Sequence, residues 1–283
     1  MISIVVPYYN KSLFIEKTLK SIINNFAGDE LKSEIIVVND GSENSESSYL
    51  RNLIASIDDN SIKLIELDEN RGVSIARNTG IEAALGDYIY FLDADDFFQC
   101  DSKKLLNDIL ISKFTCFFNL KINKKLFKHH LLDVQKVDEY VLVNLFKQRT
   151  IHLSNVVFHR SDLEGVYFEE GVAYGEDLFF IFKAILNKEV RFFDSSIAIY
   201  NYDGKFHPIR NSAYHLMLNE FESFEILYKS IYQAYNERVF LHNKFYNQNL
   251  HFDEKVVSNK LKIFNFFRFR VFYKLLQSIR TRF

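Results

Sequence analysis

Tryptophan is absent from the 283 residues, proline and cysteine occur twice each, and glycine only nine times. The two cysteines, Cys100 and Cys116, form no C-x-x-C pair. That excludes a disulfide scaffold and a cysteine-based zinc site, and it suits a reducing cytoplasm. So little proline and glycine excludes a long flexible linker. No run of about 18 uncharged apolar residues occurs, so no membrane-spanning helix is expected. The opening Met1-Ile2-Ser3-Ile4-Val5-Val6-Pro7 lacks a basic n-region, so no secretory signal is expected either. No G-x-G-x-x-G follows this first apolar run, which argues against a dinucleotide-dependent oxidoreductase.

What is present is globular in kind. The apolar fraction is 48% and the charged fraction 25%, which excludes a disordered chain, a collagen and a coiled coil. The length suits one large α/β domain with or without an appendage. The net charge of −2 conceals an asymmetry. Residues 255–283 carry eight Lys or Arg and no acid, which leaves 27 bases against 37 acids in the rest. This basic, aromatic tail is expected to form a helix that packs on the acidic body or lies on an anionic membrane surface. No nucleic-acid partner is expected.

Strand and helix patterns alternate through the first hundred residues. Ile2–Pro7, Glu34–Asn39, Ile62–Leu67 and Tyr88–Leu92 read as strands. Between them, Ser12 is expected to cap a helix with apolar positions Ile15, Leu19, Ile22, Ile23 and Phe26, and Ser45–Ile57 and Ser74–Leu85 read as helices. Such alternation implies right-handed crossovers and a doubly wound, mainly parallel sheet flanked by helices. The second half is less regular. Asp101–Ile111 and Asp177–Leu186 read as helices, Phe114–Asn119 and Lys121–Phe127 as strands around a turn, and Asn155–Phe158, Val190–Phe193 and Ile197–Tyr202 as short strands. From Ala213 onward the pattern is helical, as an appendage.

Ligands of doubly wound sheets bind beyond the carboxyl ends of the strands. All four strand ends here are polar. Asp93-Ala94-Asp95-Asp96 places three carboxylates in four residues, a donor set suited to Mg²⁺ or Mn²⁺ together with substrate phosphates. The plainer reading is a helix cap before Phe97-Phe98. Asp40-Gly41-Ser42 is a turn whose acid can accept a nucleobase N–H. In Asn70-Arg71-Gly72 through Ala76-Arg77-Asn78, Arg77 sits on a helix, either solvated or aimed at phosphate. Glu176-Asp177 opens an apolar helix, as dipole partners or as a general base. His207, Arg210 and Ser212 sit in a loop.

In order and spacing, these motifs resemble the family 2 glycosyltransferases across residues 1–212. The run is Val5-Val6-Pro7-Tyr8-Tyr9-Asn10, Asn39-Asp40-Gly41-Ser42, Asn70-Arg71-Gly72, Asp93-Ala94-Asp95-Asp96 and Gly175-Glu176-Asp177. The resemblance implies a GT-A fold, with a donor half at 1–100, an acceptor half at 101–212 and a helical region at 213–283. It also implies an inverting, metal-dependent transfer of a hexosyl or N-acetylhexosaminyl group from a UDP-sugar. The acceptor would be a bacterial surface glycan, such as lipopolysaccharide or capsule, free or lipid-linked. The enzyme would be cytoplasmic or peripheral on the inner face of the plasma membrane. Asp177 matches the catalytic base. Pro7, Tyr9, Asp40, Asn70, Arg77, Asp93 and Ala94 match donor-binding positions, joined by His207, Arg210 and Ser212. Asp95 and Asp93, with His207, would hold Mn²⁺ or Mg²⁺. The family often shows two acids before Gly-Ser, and Asn39 replaces the first. The alternatives are a catalytically weak partner subunit of a glycan-assembly complex and a nucleotidyltransferase. The latter usually carries a basic Gly-rich loop after the first strand, which Pro7-Tyr8-Tyr9-Asn10 is not.

Overall fold

Ile2–Tyr8 (β1) is buried along its whole length. A parallel strand shielded on both faces belongs in the middle of a covered sheet, and β1 lies there. The computed structural model describes residues 1–26, 33–99, 103–148, 150–172 and 175–201, with scattered positions beyond. After β1 come α1 (Ser12–Phe26), β2 (Ser33–Asp40), α2 (Asn44–Ile57), β3 (Ile62–Leu67), α3 (Val73–Ala83) and β4 (Tyr88–Phe91). The chain continues through β5 (Phe97–Phe98), α4 (Lys103–Leu110), β6 (Thr115–Phe117), β7 (Leu120–Ile122), β8 (Lys125–Phe127), β9 (Asp133–Lys136) and α5 (Glu139–Gln148). It then forms β10 (Val156–His159), α6 (Glu176–Ile185), β11 (Glu189–Phe192) and β12 (Ala198–Ile199).

Eight strands form one mixed sheet in the order β3-β2-β1-β4-β10-β6-β11-β9. The first four are parallel, as the alternation of strands and helices requires. β10 runs antiparallel to both β4 and β6, β11 is parallel to β6, and β9 closes the far edge antiparallel to β11. The sequence therefore anticipated a doubly wound, mainly parallel sheet, and the structure has one, with an antiparallel insertion in its second half.

The two faces are packed by different chemistry. On one face, Ile4 and Val6 of β1, Ile35 and Val37 of β2 and Tyr90 of β4 meet Ile15, Leu19 and Ile22 of α1 in a core that mixes aliphatic and aromatic side chains. On the other, Phe91 of β4 contacts Phe158, Phe168 and Phe180 at centroid distances of 6.0, 5.2 and 5.6 Å. Phe168 and Phe180 stack at 3.8 Å. This aromatic cluster fixes α6 against the end of β4. Asn78 of α3 secures it further, since its side chain bonds both the carbonyl and the N–H of Phe168, at 2.9 and 2.8 Å.

Several sequence expectations need correction. Ser12 does not cap α1. The N–H groups of Phe14 and Ile15 donate to the Lys11 carbonyl, while the Ser12 hydroxyl donates to Glu46 at 2.7 Å. Phe114–Asn119 and Lys121–Phe127 are not two strands around one turn. β6 joins the main sheet, and the hairpin β7–β8 lies wholly within 120–127. Phe97-Phe98 is a strand paired with β12, so no helix begins there for Asp95 or Asp96 to cap. β9 and α5 were not anticipated. The chain divides into two compact units, Met1–Ala213 and Tyr214–Phe283. In the second, residues 225–227 and 229–233 are helical. Cys100 and the basic tail of 255–283, apart from Val257, lie outside the described residues. Among the described residues, no helix is long and apolar enough to cross a membrane.

Gly80 sets the distance between α3 and the sheet. A Cβ there would lie 2.2 and 2.9 Å from the two γ-methyl carbons of Val5, which is fully buried. Gly80→Ala is expected to destabilise the fold by ~1–3 kcal/mol through overpacking. Urea denaturation checks this, and an unchanged midpoint would show that α3 stands off the sheet.

Candidate active site

The loops that follow β1, β2, β3 and β4 are tied to one another by hydrogen bonds. Asn10 adopts φ 50°, a left-handed conformation that asparagine tolerates. Its N–H donates to Ser42 Oγ and its side-chain oxygen accepts from the Glu43 N–H, both at 3.1 Å. That joins the β1 loop to the β2 loop. Asp40 is buried, and its two oxygens accept from the N–H groups of Arg71 and Gly72 at 2.8 and 2.9 Å. That joins the β2 loop to the β3 loop. Gly41 lies so close to the latter that a Cβ would sit 2.1 Å from the Glu69 carbonyl carbon and 2.3 Å from the Asn70 nitrogen.

Asn39, the departure from the two-acid pattern, is explained by its neighbours. Its amide donates to Ser47 Oγ and Glu66 Oε1, and its oxygen accepts from the Ser42 N–H. An aspartate there would face Glu66 and repel it.

At the end of β4 the chain turns instead of extending. The Asp96 N–H donates to the Asp93 carbonyl at 2.9 Å, and Thr18 Oγ1 donates to the carbonyls of Ala94 and Asp96, each at 2.8 Å. The D-x-D segment is therefore a turn and not an extended continuation of β4, on which Asp93 and Asp95 would share one side. The turn sends their carboxylates to different cations. Asp93 accepts from Arg77 at 2.9 Å and Asp95 from Lys11 at 2.5 Å. Both carboxylates keep about a third of their side-chain surface exposed. Asp96 is buried and accepts from the Asn201 N–H at 2.8 Å. Burial, followed by the nearby charge of Asp93, pushes its carboxyl well above the ordinary aspartate range.

Arg77 is the hub of the crevice. It is 4% exposed, and its guanidinium donates to Asp93 and to Glu176 at 3.0 Å. It also lies over the Phe168 ring at 5.2 Å. Burial penalises its charge, yet Asp93 and Glu176 outweigh that and hold it protonated more firmly than usual. Burial works against the Asp93 carboxylate too, but Arg77 holds that carboxyl below its ordinary value. Glu176 and Asp177 open α6 after Gly175, which takes φ 83°. Burial raises both carboxyls above their ordinary values, and the Asp177 charge adds to the rise at Glu176. Asp177 accepts the Leu178 N–H at 2.7 Å and makes no ion pair among the described residues, though the Arg77 charge works against the rise.

Other anticipated donor positions are placed as follows. Pro7 is buried at the end of β1, and Tyr9 beyond it is 44% exposed. Asn70 is exposed and accepts from the Gly72 N–H, while Ala94 is buried. His207, Arg210 and Ser212 lie outside the described residues. Three residues of the crevice were not singled out in the sequence: Lys11, His152 and Tyr200. The His152 and Tyr200 rings are 4.4 Å apart. Burial pushes His152 down to about 4 and Tyr200 up to about 12, and both feel the charge of Asp93. A histidine two residues before Ser154-Asn155 carries no motif that could have marked it.

Among the described residues, no group of three or more His, Cys, Asp or Glu is arranged to hold a metal by itself. The two partly exposed carboxylates, Asp93 and Asp95, fit a hard cation whose remaining ligands come from phosphate and water.

The description Glycosyl transferase family 2 matches residues 3–151, and the chain belongs to this family. An uncharacterized glycosyltransferase of Haemophilus influenzae is 37% identical over 111 residues, covering 39% of this chain and 42% of that one. The minor teichoic acid biosynthesis protein GgaB of Bacillus subtilis is 29% identical over 191 residues, covering 62% of this chain and 20% of GgaB. The chain thus spans less than half the length of either relative. The crystal structure of S. aureus TarS 1-349 in complex with UDP-GlcNAc superposes with a TM-score of 0.63 at 20% identity, over 86% of this chain and 73% of that one. The fold is of the GT-A type.

Arg77→Met would leave Asp93 and Glu176 without their shared cation. Breaking a buried pair in this way is expected to cost ~3 kcal/mol. Adding Glu176→Gln should restore part of the loss in a double-mutant cycle. Additive losses measured by urea denaturation would show that the two residues are not coupled.

Proposed function

We propose that this chain is an inverting glycosyltransferase that moves a hexosyl or N-acetylhexosaminyl group from a UDP-sugar to a hydroxyl of a cell-surface polymer. The observation that carries this reading is the division of labour between the two acids of α6. Glu176 is hydrogen-bonded to Arg77, whereas Asp177 makes no ion pair among the described residues and feels Arg77 through its charge alone, while burial raises its affinity for a proton. A general base needs that combination, since it must accept the acceptor's hydroxyl proton as the new bond forms. Direct attack by the deprotonated hydroxyl opposite the leaving diphosphate inverts the anomeric centre.

On this reading, Asp40, Asn70, Pro7 and Tyr9 form the nucleoside end of the crevice. Asp40 keeps the loop in shape through Arg71 and Gly72, and its remaining lone pairs are available to a base N–H. Asp95 and Asp93 would hold Mn²⁺ or Mg²⁺. Such an ion supplies charge neutralisation to the leaving diphosphate. Arg77 holds Asp93 in place from behind and orients Glu176 beside the base. GgaB is named for minor teichoic acid biosynthesis and the TarS complex holds UDP-GlcNAc. These names favour a UDP-sugar donor, and a teichoic-type polymer as acceptor alongside lipopolysaccharide or capsule.

The test is UDP release by the full chain from UDP-GlcNAc and UDP-glucose, with Mn²⁺, Mg²⁺ or EDTA. It is run with and without poly(ribitol phosphate), poly(glycerol phosphate) or a lipid-linked glycan. Release that needs a divalent ion and is accelerated by one acceptor is expected. No binding and no turnover of any UDP-sugar would overturn the reading.

Three variants probe the roles. Asp177→Asn should bind donor as the wild type does but lose ~10²–10⁴-fold in kcat. The wild-type kcat should also fall with decreasing pH through a value above that of an ordinary aspartate, because the base works ionised. Asp95→Ala should abolish metal-dependent UDP binding seen by calorimetry, and Asp96→Ala should retain some. Equal binding by Asp95→Ala and wild type would remove Asp95 from the metal site.

A further inference from the structure

His152 stands at the start of a short 3₁₀ turn, Leu153–Asn155, just before β10. Its Nδ1 accepts the Ser154 backbone N–H at 3.2 Å and lies 2.8 Å from Ser154 Oγ. A nitrogen that accepts a backbone N–H carries a lone pair, so in the neutral ring the proton resides on Nε2. The ring is further oriented by Tyr200 at 4.4 Å and by the reciprocal bond from the His152 N–H to Asn155 Oδ1 at 3.0 Å. Three independent contacts thus fix the ring and its tautomer. Each uses the backbone, Nδ1 or the ring face, and none uses Nε2. The residue is half-buried, and among the described residues Nε2 is not one of the buried polar atoms left without a partner.

The surroundings say what Nε2–H can recognise. Asp93, Arg77 and Glu176 all act electrostatically on His152. The two terminal nitrogens of the Arg77 guanidinium are committed to the two acids. A cationic imidazole here would be drawn to those carboxylates. A neutral ring gains less from those charges, and its one donor suits the hydroxyl or amide oxygen of a sugar lying beside Glu176 and Asp177. In a nucleoside diphosphate sugar, the uncharged oxygens at the reacting end belong to the sugar.

We propose that His152 is a specificity-determining residue that donates its Nε2–H to a hydroxyl or amide oxygen of the transferred sugar. The proposal rests on reading the crevice as a UDP-sugar site. It distinguishes the sugar from the nucleotide, because His152 is assigned no contact with UDP.

Calorimetry with Mn²⁺ tests this, using the full chain and comparing UDP with UDP-GlcNAc and UDP-glucose. His152→Phe keeps a ring against Tyr200 and removes the donor. It should bind UDP as the wild type does and lose about tenfold in affinity for the UDP-sugar that the wild type prefers. His152→Gln keeps an amide donor and should recover most of that loss. Thermal melts of both variants should match the wild type. Deoxy analogues of the sugar then locate the contact, since the analogue lacking the bonded oxygen should bind His152→Phe and wild type equally. Three results would overturn the proposal: undiminished UDP-sugar binding by His152→Phe, a parallel fall for UDP and UDP-sugar, or no recovery in His152→Gln with the melt unchanged. If the wild type binds UDP but no UDP-sugar, or neither, the donor reading itself fails, and this proposal with it.

Discussion

The crevice is organised by one buried cation. Arg77 comes from α3, Asp93 from the end of β4 and Glu176 from the first turn of α6. These positions are 16 and 99 residues away in sequence from Arg77. A guanidinium has a rigid fork of donors and stays charged when buried, which a lysine does not do as readily. It can therefore hold two carboxylates from different elements at a fixed spacing. Everything around it serves that end. Gly80 lets α3 lie close to β1, Phe168 and Phe180 press α6 toward β4, and Asn78 clasps Phe168 from the residue next to the arginine.

Acids brought together in this way repel one another, and the fold answers with a different device for each. Asp93 shares Arg77, Asp95 takes Lys11, and Asp40 is neutralised by backbone N–H groups. Asp96 is withdrawn from water and favours its protonated form. Asp177, among the described residues, is bonded by a backbone donor and feels Arg77 through its charge. The acids of the crevice are thus each held by a different means.

How much of this was legible in the sequence depends on the range of the interaction. The four parallel strands were readable because Ile35-Ile36-Val37-Val38 and its counterparts are short apolar runs separated by helical spacing. The motif acids were readable because their order along the chain matches one family. α5 left a local trace, since Asp138 accepts the Val141 N–H and is followed by the buried Leu142, Val143, Leu145 and Phe146. β9 left none. Asp-Val-Gln-Lys has no strand signature, and the segment is extended because β11 offers it an edge. His152 was invisible for the same reason, as its tautomer is set by a turn and its neighbours by the sheet. The turn at Asp93–Asp96 was not legible because D-x-D spacing reports separation along the chain and not the hydrogen bond that folds it back.

The near-contact of Gly41 with Glu69 and Asn70 bears on how such a crevice can be remodelled. Two loops that touch through bare backbone leave no side chain to absorb a change in either. A loop transplanted from a relative after β2 would need the matching loop after β3, and lengthening one alone should break the bonds from Asp40 to Arg71 and Gly72. The hairpin β7–β8 is tied at its tip by the Asn123 N–H, which donates to the Tyr200 carbonyl at 2.9 Å, but no glycine presses on backbone there. Lys124 and Lys125 are exposed, and Asn123 takes the tight left-handed turn. Insertions should accumulate there, while the nucleotide end changes only by paired replacement.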